Sequence, residues 1–352
     1  MPRKLLLYRL RVLFTISFIW LLFGFVFHFN QVEASNDLGV HISAISFAFI
    51  FAFIGLIITA TLIFYLKPAF NHQPVWLSSL IKLALTVILL LVIAIMSMIS
   101  YYEFLYKSDF SHFLDSFFTK VVYTKTFLMF MLEMCLMTAM SIILLEVNDK
   151  YGPGMFWSMM KGEYHKPVQQ NRIFIFLDIN ESTSIAEELG HDRYFHMLRR
   201  FFRDITIPVL ANDGEIYQYV GDEIVLSWPN TPDNKIKALK FIRNTFYLIE
   251  RQKSVYQKNY GKIPGFKAGV HAGAVTAGFI GVIKKELIYS GDTLNTTSRL
   301  CSMCHSLNSS YLLSENFMND FYQPHGYEIT EVGTMELRGR HEPVKVFSMK
   351  FD

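Results

Sequence analysis

Two aspartates stand where strand-like runs of apolar residues end. Asp178 closes the run FIFLD, and Asp222 follows Gly221 in YVGDEIVLSW, where two such runs meet. A carboxylate at the end of a buried strand is costly unless positive charge lies against it. Two hard oxygen ligands with few others beside them are typical of Mg²⁺ or Mn²⁺ bound together with substrate phosphates. Each aspartate could instead cap a turn or a helix, and Asp178 could do so for a helix that begins at Ser182.

The segment that holds both aspartates, residues 171–352, predicts an α+β domain. Its patterns give, in order, a strand, one or two helices, two strands that meet at Gly221, a long amphipathic helix, a glycine-rich strand pair, a helix and further strands. This order suits a ferredoxin-like sheet covered by helices. In such a sheet the end of the first strand lies beside the turn of the hairpin, so Asp178 and Asp222 can converge on one cation.

The N-terminal residues 1–146 have a different composition, which is typical of membrane spans. The chain is 52% hydrophobic with 33 phenylalanines, and four apolar runs reach the roughly 20 residues that a bilayer crossing needs. They lie near residues 13–29, 42–66, 80–100 and 124–146. We therefore expect an all-α bundle of four transmembrane helices. The net charge of +3 is too small to indicate nucleic acid, and three cysteines give no disulfide framework.

Basic residues predict how this bundle is oriented. Arg3, Lys4, Arg9 and Arg11 precede the first run, and such a cluster stays cytoplasmic. Four crossings then return the chain to the cytoplasm near Val147. We expect a multi-pass protein of the plasma (inner) membrane whose C-terminal domain is cytoplasmic. Three lysines between the third and fourth runs weigh against this orientation, because they would lie outside.

Residues 147–170 are interpreted as a linker between the two domains. Gly152, Pro153 and Gly154 interrupt any helix that continues from the membrane. Such a joint could transmit a helix movement to the next domain, or it could be a passive tether.

Five segments of the C-terminal domain resemble the class III nucleotidyl cyclases, the family of adenylate and guanylate cyclases. FLDINESTS and YVGDEIVLS resemble the two metal-binding segments of that family, and FKAGVHAGAVTAGFIG resembles its glycine-rich strand pair. SGDTLNTTSRL resembles its nucleotide-binding helix, and LRGRHEPVKVFSM resembles its last hairpin. The resemblance implies a membrane-anchored adenylate cyclase that converts ATP into 3′,5′-cyclic AMP and pyrophosphate.

The resemblance also implies which residues hold the metal ions and the triphosphate. Asp178 and Asp222, helped by the backbone carbonyl of Ile179, would bind two Mg²⁺ or Mn²⁺ ions per active site. The backbone amides of the turn that follows Asp178 would hold the β- and γ-phosphates, because free amides at the start of a helix favour anions. These amides belong to Asn180, Glu181, Ser182 and Thr183.

Further roles follow from the resemblance for the ribose and the α-phosphate. Asn295 would orient the ribose, and Arg299, four residues later on the same helix face, would stabilise charge at the α-phosphate. Arg338 stands where the family usually has a phosphate-binding lysine, and Arg340 is a second candidate. In the family these helpers come from the opposite subunit, so the resemblance implies a homodimer with two equivalent sites.

The positions that read the base depart from the family pattern. Gln218 stands where adenylate cyclases have lysine and guanylate cyclases have glutamate. Ile288 stands where adenylate cyclases have aspartate or threonine and guanylate cyclases have cysteine. Because a glutamine amide both donates and accepts hydrogen bonds, it can pair with either purine. ATP is the expected substrate, and GTP stays open as an alternative or second substrate.

Three other interpretations stay open. CSMCH, residues 301–305, matches the c-type haem attachment pattern, although this helix is predicted to be cytoplasmic. VGDEI resembles the GGDEF segment of diguanylate cyclases. A membrane sensor that uses the cyclase domain only to dimerise would need a broken site. The sequence instead retains the metal-binding and helix residues Asp178, Asp222, Asn295 and Arg299.

Overall fold

A computed structural model of the chain contains two compact units, Leu6–Phe156 and Trp157–Asp352. The structure describes residues 3–37, 43–70, 73–105, 125–151, 158, 161–283, 285–320, 325–336 and 343–351.

Four long helices make up the N-terminal unit over its described residues. They are α1 Arg3–Asp37, α2 Ala44–Thr61, α3 Val75–Leu105 and α4 Lys125–Tyr151. Helix α2 continues through a π-helical turn, Leu62–Leu66, into a short helical piece, Lys67–Ala69. Four spans in these helices are long and apolar enough to cross a membrane, by length and composition. The prediction of four apolar N-terminal helices is therefore confirmed.

A buried tryptophan joins three of these helices. Trp20 of α1 has no solvent exposure, and its Nε1 donates a hydrogen bond to Ser141 Oγ of α4 at 2.9 Å. Its ring packs on Phe51 of α2 with the centroids 5.1 Å apart. Gly55 lies so close to this ring that a Cβ at position 55 would overlap it. The core of the bundle is therefore built around one large side chain with a satisfied polar atom.

Polar side chains near the C-terminal end of α4 contact each of the other three helical segments. Together these contacts form what we call the α4 clamp. They are Asn148 Nδ2 to Tyr8 Oη of α1 at 2.7 Å, an ion pair of Asp149 with Lys67 after α2, and Glu146 Oε1 to Lys82 Nζ of α3 at 3.2 Å. Lys82 is buried, and such a charge is stable in the interior when it is paired.

The C-terminal unit is an α+β domain with one mixed sheet, which confirms the predicted fold class. Its strands are β1 Val168–Ile179, β2 Glu215–Val220, β3 Glu223–Pro229, β4 Phe266–Ile280, β5 Glu286–Ser290, β6 Tyr311–Ser314, β7 Tyr327–Met335 and β8 Val344–Phe351. Its helices are α5 Ser182–Leu189, α6 His191–Ala211, α7 Pro232–Tyr260, α8 Asp292–Met303 and α9 Glu315–Met318. The strands follow the order β2-β3-β1-β4-β6-β8-β7, and β5 pairs with β4.

Alternation along β1 gives the sheet two buried faces. Ile173, Ile175 and Leu177 belong to a large core with residues of α6 and α7, whereas Phe174 and Phe176 belong to a second, smaller core. Since side chains alternate along a strand, a run of consecutive apolar residues indicates a strand covered on both sides. The central position of β1 follows from this run, and it brings the end of β1 between β3 and β4.

The predicted glycine-rich strand pair is wrong, because FKAGVHAGAVTAGFIG forms a single strand, β4. Its glycines allow another element to approach instead of making a turn. A Cβ at Gly269 would lie 2.6 Å from the Thr297 carbonyl oxygen and would also overlap the Cys301 backbone. A Cβ at Gly273 would lie 2.6 Å from Thr293 Oγ1. Glycine at these positions lets α8 lie directly on β4.

Candidate active site

The end of β1 carries the first predicted ligand, and both neighbouring strands place a charge beside it. Asp178 pairs with Glu223 of β3 and with Lys267 of β4 in the two antiparallel ladders. Lys267 Nζ lies 3.0 Å from Asp178 Oδ2. Lys267, which the sequence analysis missed, therefore supplies positive charge beside the carboxylate at the end of this buried strand.

The second predicted ligand lies at a tight hairpin. β2 and β3 are antiparallel and are joined at Gly221, whose φ of 62° is a backbone conformation that favours glycine. Asp222 directly precedes Glu223, the ladder partner of Asp178, so the hairpin places the two aspartates near each other. Burial raises the pKa of the Asp178 carboxyl, the Lys267 ion pair opposes this shift, and the Asp222 carboxylate adds to it. The structure therefore brings the two predicted metal ligands together.

A third carboxylate, Glu223, adjoins this pair. Burial, together with the nearby charges of Asp178 and Asp222, raises the pKa of Glu223 to about 7. Its position directly after Asp222 and opposite Asp178 is the signal from which it could have been found. The pKa values of Asp178 and Glu223 are raised first by burial and then by neighbouring carboxylates, and a bound cation would favour the charged form of both groups.

The donor set at this corner fits a divalent metal ion bound together with substrate. Carboxylate and carbonyl oxygens are the ligands that Mg²⁺ and Mn²⁺ prefer, and Asp178, Asp222 and the Ile179 carbonyl supply them. Among the described residues, no group of three or more His, Cys, Asp or Glu side chains is arranged to hold a metal ion. Two aspartates would therefore need further ligands, and substrate phosphates are oxygen donors of the required kind.

The turn after β1 contains the predicted phosphate-binding amides, with one correction. Asn180 N donates to the Gly265 carbonyl at 2.9 Å, so this amide is already used within the fold. Glu181 has a left-handed conformation with φ 53°, and α5 begins at the next residue without a side-chain cap. Amides in the first turn of a helix have no intrahelical partner. The candidate phosphate-binding amides are thus reduced to Glu181, Ser182 and Thr183.

Helix α8 presents the two residues predicted to act on the ribose and the α-phosphate. Asn295 is exposed and Arg299 is half-buried. Within the described part of the chain, Arg299 Nη1 is buried and has no hydrogen-bond partner. A buried guanidinium donor without a partner is costly, and a phosphate oxygen would satisfy it.

The two predicted base-reading residues lie on different strands. Gln218 is exposed on β2, and Ile288 is half-buried on β5. Arg338 and Arg340, the candidates for the last phosphate contact, lie outside the described residues.

The cysteines of the CSMCH segment are part of the hydrophobic interior. Cys301 and Cys304 are 2% and 1% exposed, and burial raises the pKa of the Cys304 thiol to about 12. Their thiols face the Lys267 and Ala268 carbonyls of β4. This arrangement accounts for the two cysteines as core residues.

Comparison with known proteins shows the family. A family model for the adenylate and guanylate cyclase catalytic domain matches residues 164–350, more than half of the chain. The chain therefore belongs to the adenylate and guanylate cyclase family, and the predicted resemblance is confirmed.

Two curated adenylate cyclases are similar to part of this chain. The chain is 36% identical over 211 residues to Adenylate cyclase 2 of Rhizobium meliloti, which covers 59% of this chain and 58% of that protein. It is 25% identical over 181 residues to Adenylate cyclase 1 of the same organism, covering 50% of this chain and 27% of that protein. The chain thus spans less than two thirds of either relative.

A solved structure also shares the fold. A bacterial light-regulated adenylyl cyclase aligns with a TM-score of 0.53 at 18% identity, over 61% of this chain and 63% of that one.

Proposed function

We propose that this chain is a membrane-anchored adenylate cyclase that converts ATP into 3′,5′-cyclic AMP and pyrophosphate. The observation that carries the proposal is the convergence of Asp178 and Asp222 at the end of β1. This convergence occurs in a domain of the adenylate and guanylate cyclase family. The 36% identity to Adenylate cyclase 2 of Rhizobium meliloti supports ATP as the substrate.

Asp178, Asp222 and the Ile179 carbonyl would hold two Mg²⁺ or Mn²⁺ ions. When bound, such ions neutralise the triphosphate and lower the pKa of the ribose 3′-hydroxyl. These carboxylates would place the metal site at the junction of β1 and the β2–β3 hairpin.

Other groups of the chain would orient the nucleotide. The amides of Glu181, Ser182 and Thr183 would bind the β- and γ-phosphates at the start of α5. Asn295 would orient the ribose so that its 3′-oxygen faces the α-phosphorus. A new bond would then form between the 3′-oxygen and the α-phosphorus as the bond from the α-phosphorus to the oxygen of the β-phosphate breaks. The 3′-hydroxyl proton would pass to water, and pyrophosphate would leave with the bridging oxygen. Arg299 would stabilise the charge at the α-phosphate.

The proposed assembly is a homodimer anchored in the lipid bilayer of the plasma (inner) membrane, with the catalytic domain in the cytoplasm. Arg9 and Arg11 precede most of the first apolar span and support a cytoplasmic N-terminus. Asn295 and Arg299 would act on the nucleotide held by the partner subunit's aspartates, with Arg338 as a further phosphate contact.

GTP turnover is a second candidate activity, and Gln218 is the residue that favours it. Its amide can present a donor or an acceptor to the base edge, and Ile288 offers no side-chain hydrogen bond to the N6 amine. We expect ATP to be preferred and GTP to be turned over or to compete.

The test is cyclase assays of the purified full-length protein in detergent or nanodiscs with Mn²⁺. ATP should give cyclic AMP and pyrophosphate in equal amounts, and chelation of the metal should stop turnover. A folded protein that binds ATP without forming either cyclic nucleotide would instead indicate a membrane sensor with a non-catalytic cyclase domain. A parallel assay uses GTP in place of ATP. Formation of cyclic GMP from GTP, with no cyclic AMP from ATP, would indicate a guanylate cyclase.

A further inference from the structure

A β-bulge interrupts β2 just before the predicted base-reading residue. Ile216 pairs with Leu226, but Gln218 pairs with the next residue back, Val225, so Tyr217 is an extra residue in the strand. Bulges of this kind re-aim side chains and occur next to active sites. Neighbouring side chains in a regular strand point to opposite faces of the sheet. The bulge removes this constraint for Tyr217 and Gln218.

Tyr217 connects this strand to β5. Its hydroxyl oxygen accepts a hydrogen bond from the backbone N–H of Tyr289 at 3.2 Å. The two rings also pack edge to face, with centroids 5.0 Å apart, and both contact Phe174 of β1. Tyr289 directly follows Ile288, and Tyr217 directly precedes Gln218. The bond therefore joins the two strands at the residues beside the base-reading positions.

Arg172 provides a second connection within the same cluster. It is 6% exposed, and its guanidinium carbon lies 5.1 Å from the centroid of the Tyr289 ring. Its Nε donates to Ser227 Oγ at 2.6 Å, and its Nη2 pairs with Glu215. A buried guanidinium with hydrogen bonds in several directions is strongly constrained in position. Arg172 of β1 thus binds β2 and β3 and lies against β5.

β5 is a short strand, and this cluster adds contacts to its ladder with β4 and to its packing against α8. It is five residues long and, among the described strands, pairs only with β4, where Ile288 lies opposite Gly278 and Tyr289 opposite Ala277. Beyond β4, Tyr289 contacts Tyr217 of β2 and Arg172 and Phe174 of β1. These contacts link the residues next to Gln218 and Ile288.

We propose that Arg172, Tyr217 and Tyr289 form a positioning cluster that sets the spacing of Gln218 and Ile288 and thereby the preference between adenine and guanine nucleotides. The inference rests on the proposed function and deepens it. Hydrogen-bond recognition needs groups held to within about 0.5 Å, and the supporting shell supplies that precision. Loosening β5 should therefore change discrimination between purines more than it changes the chemical step.

Tyr217→Phe tests this with a minimal change, since it removes the hydroxyl acceptor and keeps the ring. The matched control is Tyr219→Phe on the same strand, whose ring packs on Phe202 at 4.8 Å. The measurement is kcat/KM of the full-length protein for ATP and for GTP, with thermal unfolding alongside. We expect Tyr217→Phe to change the ATP:GTP ratio about 2- to 10-fold, the range of one neutral hydrogen bond, mainly through KM. The control should leave the ATP:GTP ratio within about twofold of wild type, a free-energy change well below the roughly 1.4 kcal/mol that corresponds to a factor of ten.

Glu215→Gln is a second variant, because it weakens the Arg172 ion pair from an exposed position and should not prevent folding. It should shift the ratio in the same direction as Tyr217→Phe. Equal loss of activity towards both nucleotides in both variants, with an unchanged ratio, would mean a purely structural role and would overturn the inference.

Failure of the proposed function has a different signature. Wild-type protein would then form no cyclic nucleotide. In that case wild type and Tyr217→Phe are compared by their dissociation constants for ATP and GTP. A changed affinity ratio in Tyr217→Phe would support the positioning cluster even without turnover. Wild-type protein that binds neither nucleotide would overturn both proposals.

Discussion

The ammonium of Lys267 lies 3.0 Å from an oxygen of Asp178, across the ladder in which the two residues pair. This ion pair places a positive charge directly beside a predicted metal ligand. A divalent ion at Asp178 would compete with the ammonium for that oxygen. Metal binding would also release the ammonium, which could then neutralise charge on the triphosphate.

Lys267→Gln should therefore act in opposite directions on two measurements. Mn²⁺ should bind the nucleotide-free protein more tightly by calorimetry, because its competitor is gone. The kcat/KM for ATP should fall about 10-fold or more, the effect of losing one charge-assisted hydrogen bond. The control is Lys262→Gln, whose ammonium pairs with Glu188 at 2.6 Å on the surface. Weaker Mn²⁺ binding in the Lys267 variant would contradict the competition.

Asp178→Asn and Asp222→Asn should each abolish turnover and leave the protein folded, since an amide supplies neither the charge nor the affinity of a metal-binding carboxylate. Mn²⁺ should raise the unfolding temperature of wild type by mass action and should not do so in either variant. Asp213→Asn is the matched control, because asparagine tolerates its left-handed backbone with φ 53°. Turnover above a few percent of wild type in either site variant would count against the assignment.

Mixing two inactive chains should restore activity if each site is built between subunits. Asp222→Ala and Arg299→Ala place their lesions on opposite sides of the same site, so a mixed dimer has one intact site and one doubly damaged site. Random association of equal amounts should recover about a quarter of wild-type activity per chain, as expected for a symmetric dimer with two sites. Co-expression with two affinity tags verifies that mixed dimers form, and their inactivity would indicate that each site lies within one chain.

The base preference should respond to restoring the residues usual in adenylate cyclases. Gln218→Lys with Ile288→Asp should increase the ATP:GTP ratio of kcat/KM, because polar groups that read the base reject an analogue that lacks the matching group. The two single variants serve as controls for loss of packing. A wild-type ratio already above about 10⁴, the range of a site that reads one polar group, would show that another residue reads the base.

Gly269→Ala should destabilise the C-terminal domain and reduce activity. Its Cβ would meet the Thr297 carbonyl oxygen at 2.6 Å, and a backbone atom cannot move away as a side chain can. Overpacking of this kind costs about 1–3 kcal/mol and would push α8, with Asn295 and Arg299, off the sheet. Gly278→Ala is the control, since its Cβ would find only ordinary contact with Pro167 at 3.6 Å. Equal unfolding temperatures for the two variants would contradict this account of the glycines.

The sequence was sufficient for the features that depend on local pattern. The apolar run before Asp178 predicts a buried strand, and the meeting of two strand-like runs at Gly221 predicts the hairpin that presents Asp222. The four apolar runs predict the four N-terminal helices because hydropathy alone decides them. The local pattern suggested that Asp178 and Asp222 converge on one cation. The family motifs then implied that both aspartates bind the metal ions of one active site.

Features that depend on register or close packing were not readable from the sequence. Lys267 faces Asp178 because of the antiparallel alignment of β1 with β4, strands nearly ninety positions apart in the chain. The extra residue at Tyr217 is visible only from the pairing of β2 with β3. The glycines of β4 were interpreted as part of a strand pair. Gly269 and Gly273 instead allow α8 to pack closely on β4, and the sequence does not distinguish such a glycine from one in a turn.

The α4 clamp restricts how the last helix before the cyclase domain can move. Its three attachments, Glu146, Asn148 and Asp149, lie within about one helical turn, and each contacts a different segment of the bundle. A piston-like slide of α4 by one turn, about 5.4 Å, would break all three contacts at once. A movement of the bundle as a whole would break none. The contacts therefore make α4 move together with the other helices, so that a stimulus would reach the linker as a displacement of the whole bundle.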